Sequence, residues 1–440
     1  MCERKKMDNV SELKRRIEKR EYRIAVIGLG YVGLPLALAF AEEGFPVSGL
    51  EKDLKKVKAL NEGKSYVDDI PSLEVEHALK KEFTATTKES EALAGADAVF
   101  ICVPTPLTQT KEPDLSFVIT AGKSVARYLK LGELVVLVST TYPGTTEEIL
   151  LPLLQKGGRK VGMHFYLAFS PERVDPGNKA YGIRNTPKVV GGVTPACTEL
   201  AAYLLNTIVE RVVPVSSPRV AEMTKLLENT YRVVNISLVN ELAQLSRRMK
   251  VNIWEVIEAA STKPYGFTPF YPGPGMGGHC IPIDPFYLSW KARAYDFNLR
   301  FVELAGEIND SMPYFVVDLV AEALNKEGKP LKGSRILVLG VSYKQDISDL
   351  RESPALKIIP MLKEREAQVK YCDPLVPSLE IEDQTMSSLS LSEKPWKNAD
   401  CVLLLTAHRA FPYPEIARES KLIVDTRNAF RGLEGNIWRL

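Results

Sequence analysis

Three glycines, spaced Gly28-Leu-Gly30-Tyr-Val-Gly33, stand between the apolar run RIAVIG (23–28) and a helical pattern from about Tyr31 to Glu43. No other feature restricts the fold as strongly. The first glycine permits a tight turn out of a strand, the second lets backbone approach a pyrophosphate, and the third lets helix pack on strand. The helix N-terminus then offers unpaired N–H groups and a positive dipole end to the phosphates. The spacing alone is a weak signal. Here strand and helix flank it correctly, and an acid, Glu51, ends the next apolar run, 23 residues after Gly28. A carboxylate at that place accepts the ribose hydroxyls of NAD and repels the additional phosphate of NADP, with Lys52 beside it as a counter-signal.

The same rhythm continues. Short apolar runs at 46–50, 97–103, 133–139, 166–170 and 188–192 alternate with helical patterns. This suits a parallel sheet covered on both faces. From Pro218 to Lys250 there is then no glycine and no further proline. A helix of that extent is about 50 Å long, with apolar residues on more than one face, so it reads as a connector and a subunit interface. A second helical stretch (about 296–327) ends in KEGKPLKG. A further α/β pattern follows, with strand-like runs at 335–344, 367–374, 399–406 and 421–428 around a helix at 353–365. The fold class expected is α/β: two Rossmann-like doubly wound domains (1–215 and 331–440) joined by a long-helix central domain (216–330).

Composition narrows the function. The chain has 440 residues, a net charge of +2 and 45% hydrophobic content. A balance so near neutral argues against nucleic acid or a membrane surface as partner. The first 20 residues are polar, and no apolar run approaches the ~20 residues that span a bilayer. A cytoplasmic protein is expected. The six cysteines form no CxxC pair and the four histidines are scattered, so no metal site is expected.

The segment Tyr271-Pro-Gly-Pro-Gly-Met-Gly-Gly-His-Cys280-Ile-Pro-Ile-Asp284 holds four glycines and two prolines in eight residues, then a thiol and, four residues on, a carboxylate. Glycines here expose backbone to something that approaches closely. Cys280 lies at the exit of that loop, whereas Cys102 and Cys401 fall within apolar elements. From residue types alone, nucleophile and packed thiol are equally open. On the long helix, Lys225 and Asn229 are four apart and share a face; a solvated lysine is the bland alternative. In the last α/β stretch the first strand is not followed by three glycines, so a dinucleotide is less expected there. Lys344, Arg351 and Arg427 are instead candidates for an anion or for surface ion pairs.

The motifs GLGYVGLP, VPTP, STTYPGTT, FSPERVDPG, EMTKLLENTY, GGHCIPIDP, YKQDISDLRESPA and DTRN occur in this order. In that order they resemble the nucleotide-sugar 6-dehydrogenase family over nearly the whole chain from about Tyr22. What the resemblance implies is an NAD-dependent, four-electron oxidation of the C6 alcohol of a UDP-sugar to the uronic acid, serving polysaccharide or glycan precursors, with UDP-sugar held by the third domain and a homodimer as the assembly. By position, Cys280 corresponds to the nucleophile, Lys225 to the general base or oxyanion partner, and Asn229 to the oxyanion donor. Asp284 and Thr141 correspond to the residues that handle water, and Glu172 to the acid that assists thioester hydrolysis. Cofactor contacts are implied for Gly28, Gly30, Tyr31, Val32, Gly33, Glu51, Thr105, Thr141, Lys344 and Arg351. Substrate contacts are implied for Glu172, Arg173, Lys225, Asn229, Tyr271, Gly273, Gly277, Lys344 and Arg427.

FSPERVDPGN with GGHCIPIDPFYLSW most resembles the N-acetylhexosamine branch, above all UDP-N-acetylglucosamine 6-dehydrogenases. The glucose branch usually carries an arginine in the loop before the cysteine. This chain has none between Lys263 and Cys280, but has Tyr265, Phe267, Phe270 and Tyr271. UDP-ManNAc, UDP-GalNAc and UDP-glucose are the alternatives. Two other classes are a β-hydroxyacid dehydrogenase, which needs no thiol, and a non-catalytic NAD-binding protein.

Overall fold

The computed structural model describes all residues except 1, 109–111, 176, 179, 279–282 and 383, and only the backbone of 2–9. The chain packs into two units, one of Met1–Glu228 with Trp290–Asp296 and one of Asn229–Ser289 with Phe297–Leu440. The expected central stretch 216–330 contributes to both.

The first unit is built on eight strands: β1 (Ile24–Ile27), β2 (Val47–Leu50), β3 (Phe83–Thr86), β4 (Ala98–Ile101), β5 (Glu133–Leu137), β6 (Phe165–Phe169), β7 (Lys188–Gly192) and β8 (Val212–Val215). Their order is β3-β2-β1-β4-β5-β6-β7-β8. The first six strands are parallel and have the dinucleotide-fold order, which reverses direction between β1 and β4; β7 runs antiparallel to β6. Strands β1, β4, β5 and β6 are buried along their whole length, which explains their continuous apolar runs. The helix Gly33–Glu42 is buried at Gly33, Leu34 and Leu36 through Ala41, so it shows no polar stripe.

Two strands of this sheet escaped the sequence reading. FTAT in β3 is too short and mixed to stand out. VVPV in β8 carries Pro214, which removes a ladder donor and is tolerated because β8 is the last strand of the sheet.

The helix Pro218–Met249 has 32 residues, and Pro218 opens it where a missing N–H costs nothing. Residues up to Glu228 belong to the first unit and the rest to the second.

In the second unit, β9 (Arg335–Leu339), β10 (Gln368–Cys372), a hairpin of β11 (Ser378–Ile381) and β12 (Gln384–Ser387), β13 (Cys401–Leu404), β14 (Ile423–Asp425) and β15 (Ile437–Arg439) follow the helix Arg300–Lys326. The five-stranded sheet is parallel throughout, in the order β10-β9-β13-β14-β15. This is the second common doubly wound order, with its reversal between β9 and β13. The helices Arg300–Lys326 and Ala355–Glu364 cover one face, through Met312, Val316, Val320, Ile358, Ile359 and Leu362. No helix among the described residues is long and apolar enough to cross a membrane.

Candidate active site

At the end of β1 each glycine has a different physical reason. Gly28 has φ +88°, and a Cβ there would lie 2.7 Å from the Cys102 carbonyl. A Cβ on Gly33 would lie 1.8 Å from the Gly28 carbonyl. A Cβ on Gly30 would meet nothing within 4 Å, so its backbone faces open space. The turn and the packing therefore consume two glycines, and the third leaves room for a pyrophosphate. Tyr31 is exposed and Val32 half-buried at this turn.

Glu51 follows β2. Its carboxylate accepts the N–H groups of Leu29 (3.1 Å), Lys52 (2.8 Å) and Asp53 (3.2 Å). The acid is thereby oriented by the glycine turn itself. Thr105, after β4, is buried. Thr141, after β5, is fully buried, and its hydroxyl has no hydrogen-bond partner among the described residues. An orphaned buried hydroxyl costs about 1–3 kcal/mol, and a ligand or water satisfies it. Open space at Gly30, the fixed Glu51 carboxylate and this hydroxyl all fit a bound NAD.

The turn after Thr141 is held by Glu222 of the long helix. Its carboxylate accepts the N–H of Gly144 (2.6 Å) and both the N–H (2.9 Å) and hydroxyl (2.6 Å) of Thr146. Burial raises the Glu222 pKa, and these donors only partly offset it. One turn on, Lys225 is half-buried and makes no ion pair among the described residues.

Glu172 lies beyond β6. Its carboxylate accepts the N–H of Arg173 (2.7 Å) and Val174 (2.9 Å) and pairs with the buried ammonium of Lys188 at 2.8 Å. Burial pushes the carboxyl up, but the nearby Lys188 and these donors outweigh it and hold its pKa below the ordinary carboxylate value. Arg173 is engaged elsewhere in this structure: it pairs with Glu228 at 2.6 Å and donates to the Pro187 carbonyl at 2.8 Å.

In the second unit, Asn229 and Asp284 are both buried, and Asn229 Nδ2 donates to Asp284 Oδ2 at 2.5 Å. Because a carboxylate only accepts, the amide must turn its nitrogen toward Asp284. Asp284 opens the helix Asp284–Ala292, where the dipole favours a negative charge. Cys280 lies outside the described residues.

The glycine loop before it is described. A Cβ on Gly273 would come 2.6 Å from the Arg427 guanidinium, and one on Gly277 would come 2.6 Å from Tyr343 Cβ and 2.7 Å from the Glu352 carbonyl. Arg427 donates from Nε to the Leu405 carbonyl at 2.8 Å, and burial lowers its pKa to about 10, so it stays cationic at neutral pH. Lys344 is half-buried, and Arg351 is exposed and paired with Asp349 at 2.6 Å. Tyr271 stacks on Trp254 and Phe270 packs on Tyr231, while Tyr265 is 74% exposed. Cys102, Cys197, Cys372 and Cys401 are all buried thiols, with Cys102, Cys372 and Cys401 pushed up by burial, Cys372 to about 11.

Lys188, Glu222 and Glu228 were not singled out by sequence. Their partners lie 16, 76–78 and 55 residues away, and a lone charge in a helix or strand carries no local sign of such a partner.

Comparison with known proteins agrees with this geometry. Residues 22–209 match the NAD binding domain of the UDP-glucose/GDP-mannose dehydrogenase family, residues 219–311 its central domain and residues 337–432 its UDP binding domain. UDP-N-acetyl-D-mannosamine dehydrogenase of Pyrococcus horikoshii is 37% identical over 418 residues, 93% of this chain and 96% of that one. UDP-N-acetyl-D-glucosamine 6-dehydrogenase of Pseudomonas aeruginosa is 36% identical over 359 residues, 81% of this chain and 84% of that one. The solved structure of UDP-D-ManNAc dehydrogenase from P. horikoshii superposes with a TM-score of 0.87 at 34% identity, covering 95% of this chain and 98% of that one. The chain therefore belongs to the UDP-glucose/GDP-mannose dehydrogenase family and is an NAD-dependent oxidoreductase of UDP-sugars.

Proposed function

We propose that the protein oxidises the C6 alcohol of a UDP-N-acetylhexosamine to the carboxylate. One sugar alcohol, two NAD+ and one water give one carboxylate, two NADH and three protons. NAD, when bound, accepts a hydride in each oxidation. Lys225 takes the proton of the C6 hydroxyl, and Asn229, held by Asp284, donates to the oxygen that develops charge. The Cys280 thiolate adds to the aldehyde, and the thiohemiacetal so formed keeps the carbon from escaping as a free hydrate. After the second oxidation has left a thioester, water cleaves it; by their resemblance to the family's motifs Thr141 and Asp284 have water-handling roles, and Glu172 assists as an ionised carboxylate. Lys344 and Arg427 meet the nucleotide end of the substrate. Arg351 serves the cofactor.

The observation that carries this reading is the buried Asn229–Asp284 pair, built from an acid four residues beyond a thiol. A β-hydroxyacid dehydrogenase also pairs a lysine and an asparagine on a long helix, but it makes a single oxidation and has no use for the thiol. The aromatic residues of the 265–271 segment support an acetamido sugar over glucose, and among the acetamido sugars the resemblance of FSPERVDPGN and GGHCIPIDPFYLSW supports UDP-N-acetylglucosamine. The 37%-identical relative, a UDP-N-acetyl-D-mannosamine dehydrogenase, supports UDP-N-acetylmannosamine as the second reading. NADH production from UDP-glucose and the gluco, manno and galacto N-acetyl sugars tests both levels. One NADH per product, or turnover of UDP-glucose alone, defeats the proposal.

We also propose a homodimer along the helix Pro218–Met249. Leu238, Leu242, Leu245 and Met249 are 49%, 40%, 51% and 63% exposed at helical spacing, an apolar row that a partner would cover.

A further inference from the structure

The C-terminal edge of the second sheet holds a buried imidazole–carboxylate pair that no step above uses. Asp373, directly after β10, accepts the N–H of Val341 (2.7 Å) on Oδ2 and those of Leu375 (2.9 Å) and Val376 (3.1 Å) on Oδ1. His408, after β13, is fully buried, with Nε2 3.1 Å from Asp373 Oδ2. Its Nδ1 accepts the N–H of Asp346 at 3.0 Å. A backbone N–H can only donate, so Nδ1 carries the lone pair and the proton sits on Nε2, facing Asp373. The ring orientation is thus fixed from both sides.

Between these anchors runs the segment 341–346, which contains Lys344. Ser342 Oγ lies 3.2 Å from His408 Nε2 and donates to the Lys344 carbonyl at 2.9 Å. Thr406 Oγ1 donates to the Ser342 carbonyl at 2.5 Å. Asp346 has φ +61°, a left-handed conformation that a non-glycine residue keeps only when its surroundings impose it; the hydrogen bond from its N–H to His408 is one such restraint. The segment lies where β9 and β13 diverge, the place at which doubly wound sheets take their ligands. The glycine loop rests on the continuation of this segment: Gly278 N–H donates to the Arg351 carbonyl at 2.9 Å, and Gly277 leaves no room for a Cβ against Tyr343.

We infer that His408, keyed by Asp373, is a positioning residue for nucleoside diphosphate recognition. It fixes the 341–346 backbone so that Lys344 meets the diphosphate, and through Tyr343 it sets the wall on which the 273–278 loop packs. The inference rests on the assignment of Lys344 to the nucleotide made above.

The test is titration calorimetry of UDP with the full chain, its Lys344→Ala variant, and two polar substitutions at 408. His408→Gln keeps a donor toward Asp373 but loses the acceptor for Asp346. His408→Asn keeps an acceptor where Nδ1 was. Lys344→Ala and His408→Gln each weaken UDP about tenfold or more, as loss of one well-placed hydrogen bond does, while His408→Asn stays within about threefold of the unaltered chain. KM for the UDP-sugar follows the same order and KM for NAD does not move. A general loss of packing would treat Gln and Asn alike. Equal UDP affinities for the two 408 variants, or unaltered affinity in His408→Gln, overturns the role of His408 while Lys344→Ala still binds weakly. Unaltered affinity in Lys344→Ala overturns the nucleotide assignment and the inference with it.

Discussion

Lys188, with 3% of its side chain exposed, places its ammonium 2.8 Å from the Glu172 carboxylate, itself only 13% exposed. The lysine is what lets a carboxyl in that place remain ionised: burial raises the Glu172 pKa, and Lys188 with two backbone N–H groups reverses the effect.

In a Lys188→Met variant the Glu172 pKa therefore climbs, and the acid limb of kcat moves to higher pH. Glu172 has a folded pKa below its ordinary 4.5. The stability from the pair is thus present above that value and is lost as pH falls through the folded pKa. Removing Lys188 costs about 3–5 kcal/mol at pH 7, and the gap to the unaltered protein closes in strong acid. Urea midpoints that differ equally at pH 7 and pH 3 would count against the pairing as the cause.

An Asp284→Asn substitution preserves shape, and its amide can turn its oxygen toward Asn229. It removes only the charge. The fold and UDP affinity are expected to hold while kcat falls about 10²–10⁴-fold, the range for loss of a positioned proton-handling group. Steady-state kinetics beside UDP calorimetry checks this, and a rise in KM with kcat unchanged would move Asp284 out of the chemistry.

Glu51 is oriented by the N–H groups of Leu29, Lys52 and Asp53. Replacing it with alanine raises KM for NAD by about 10- to 100-fold, the worth of a charge-assisted hydrogen bond to ribose. KM for the UDP-sugar holds. Equal changes in both constants would remove Glu51 from the cofactor site.

Cys280→Ala abolishes acid formation and spares NAD binding, read by fluorescence titration. Cys280→Ser substitutes a weaker nucleophile whose ester is slow to hydrolyse, so intact-protein mass spectrometry shows the chain plus one sugar nucleotide. Substantial acid formation by the alanine variant defeats the covalent route.

Leu238→Glu with Leu245→Glu puts two charges into the exposed apolar row of the long helix. Light scattering is expected to report a dimer for the unaltered chain and a monomer for the double variant. An unchanged mass in the double variant would place the subunit interface elsewhere.

Much of the fold was legible because its signals are local. The runs at 97–103 and 133–139 became β4 and β5, buried along their length, and Pro218 opened the long helix as its N-terminal preference predicts. β3 and β8 were illegible for a local reason too, since four mixed residues, or four with a proline among them, do not rise above the background of a loop. The Lys225 and Asn229 spacing was readable, but the hydrogen bond from Asn229 to Asp284 was not, because 55 residues separate the partners.

The glycine fingerprint could be interpreted from the chain alone because turn, close approach and helix packing all occur within six residues, where covalent geometry leaves few choices. The same holds for the buried strands, whose neighbours on both sides demand apolar side chains. The roles of Lys188, Glu222 and His408 were decided by the fold. A buried charge or imidazole must find its counter-group wherever the topology brings one, and Glu172, Gly144 and Asp373 stand 16, 78 and 35 residues away. No pattern in neighbouring residues encodes that choice; the desolvation penalty, acting on the assembled sheet edges, makes it.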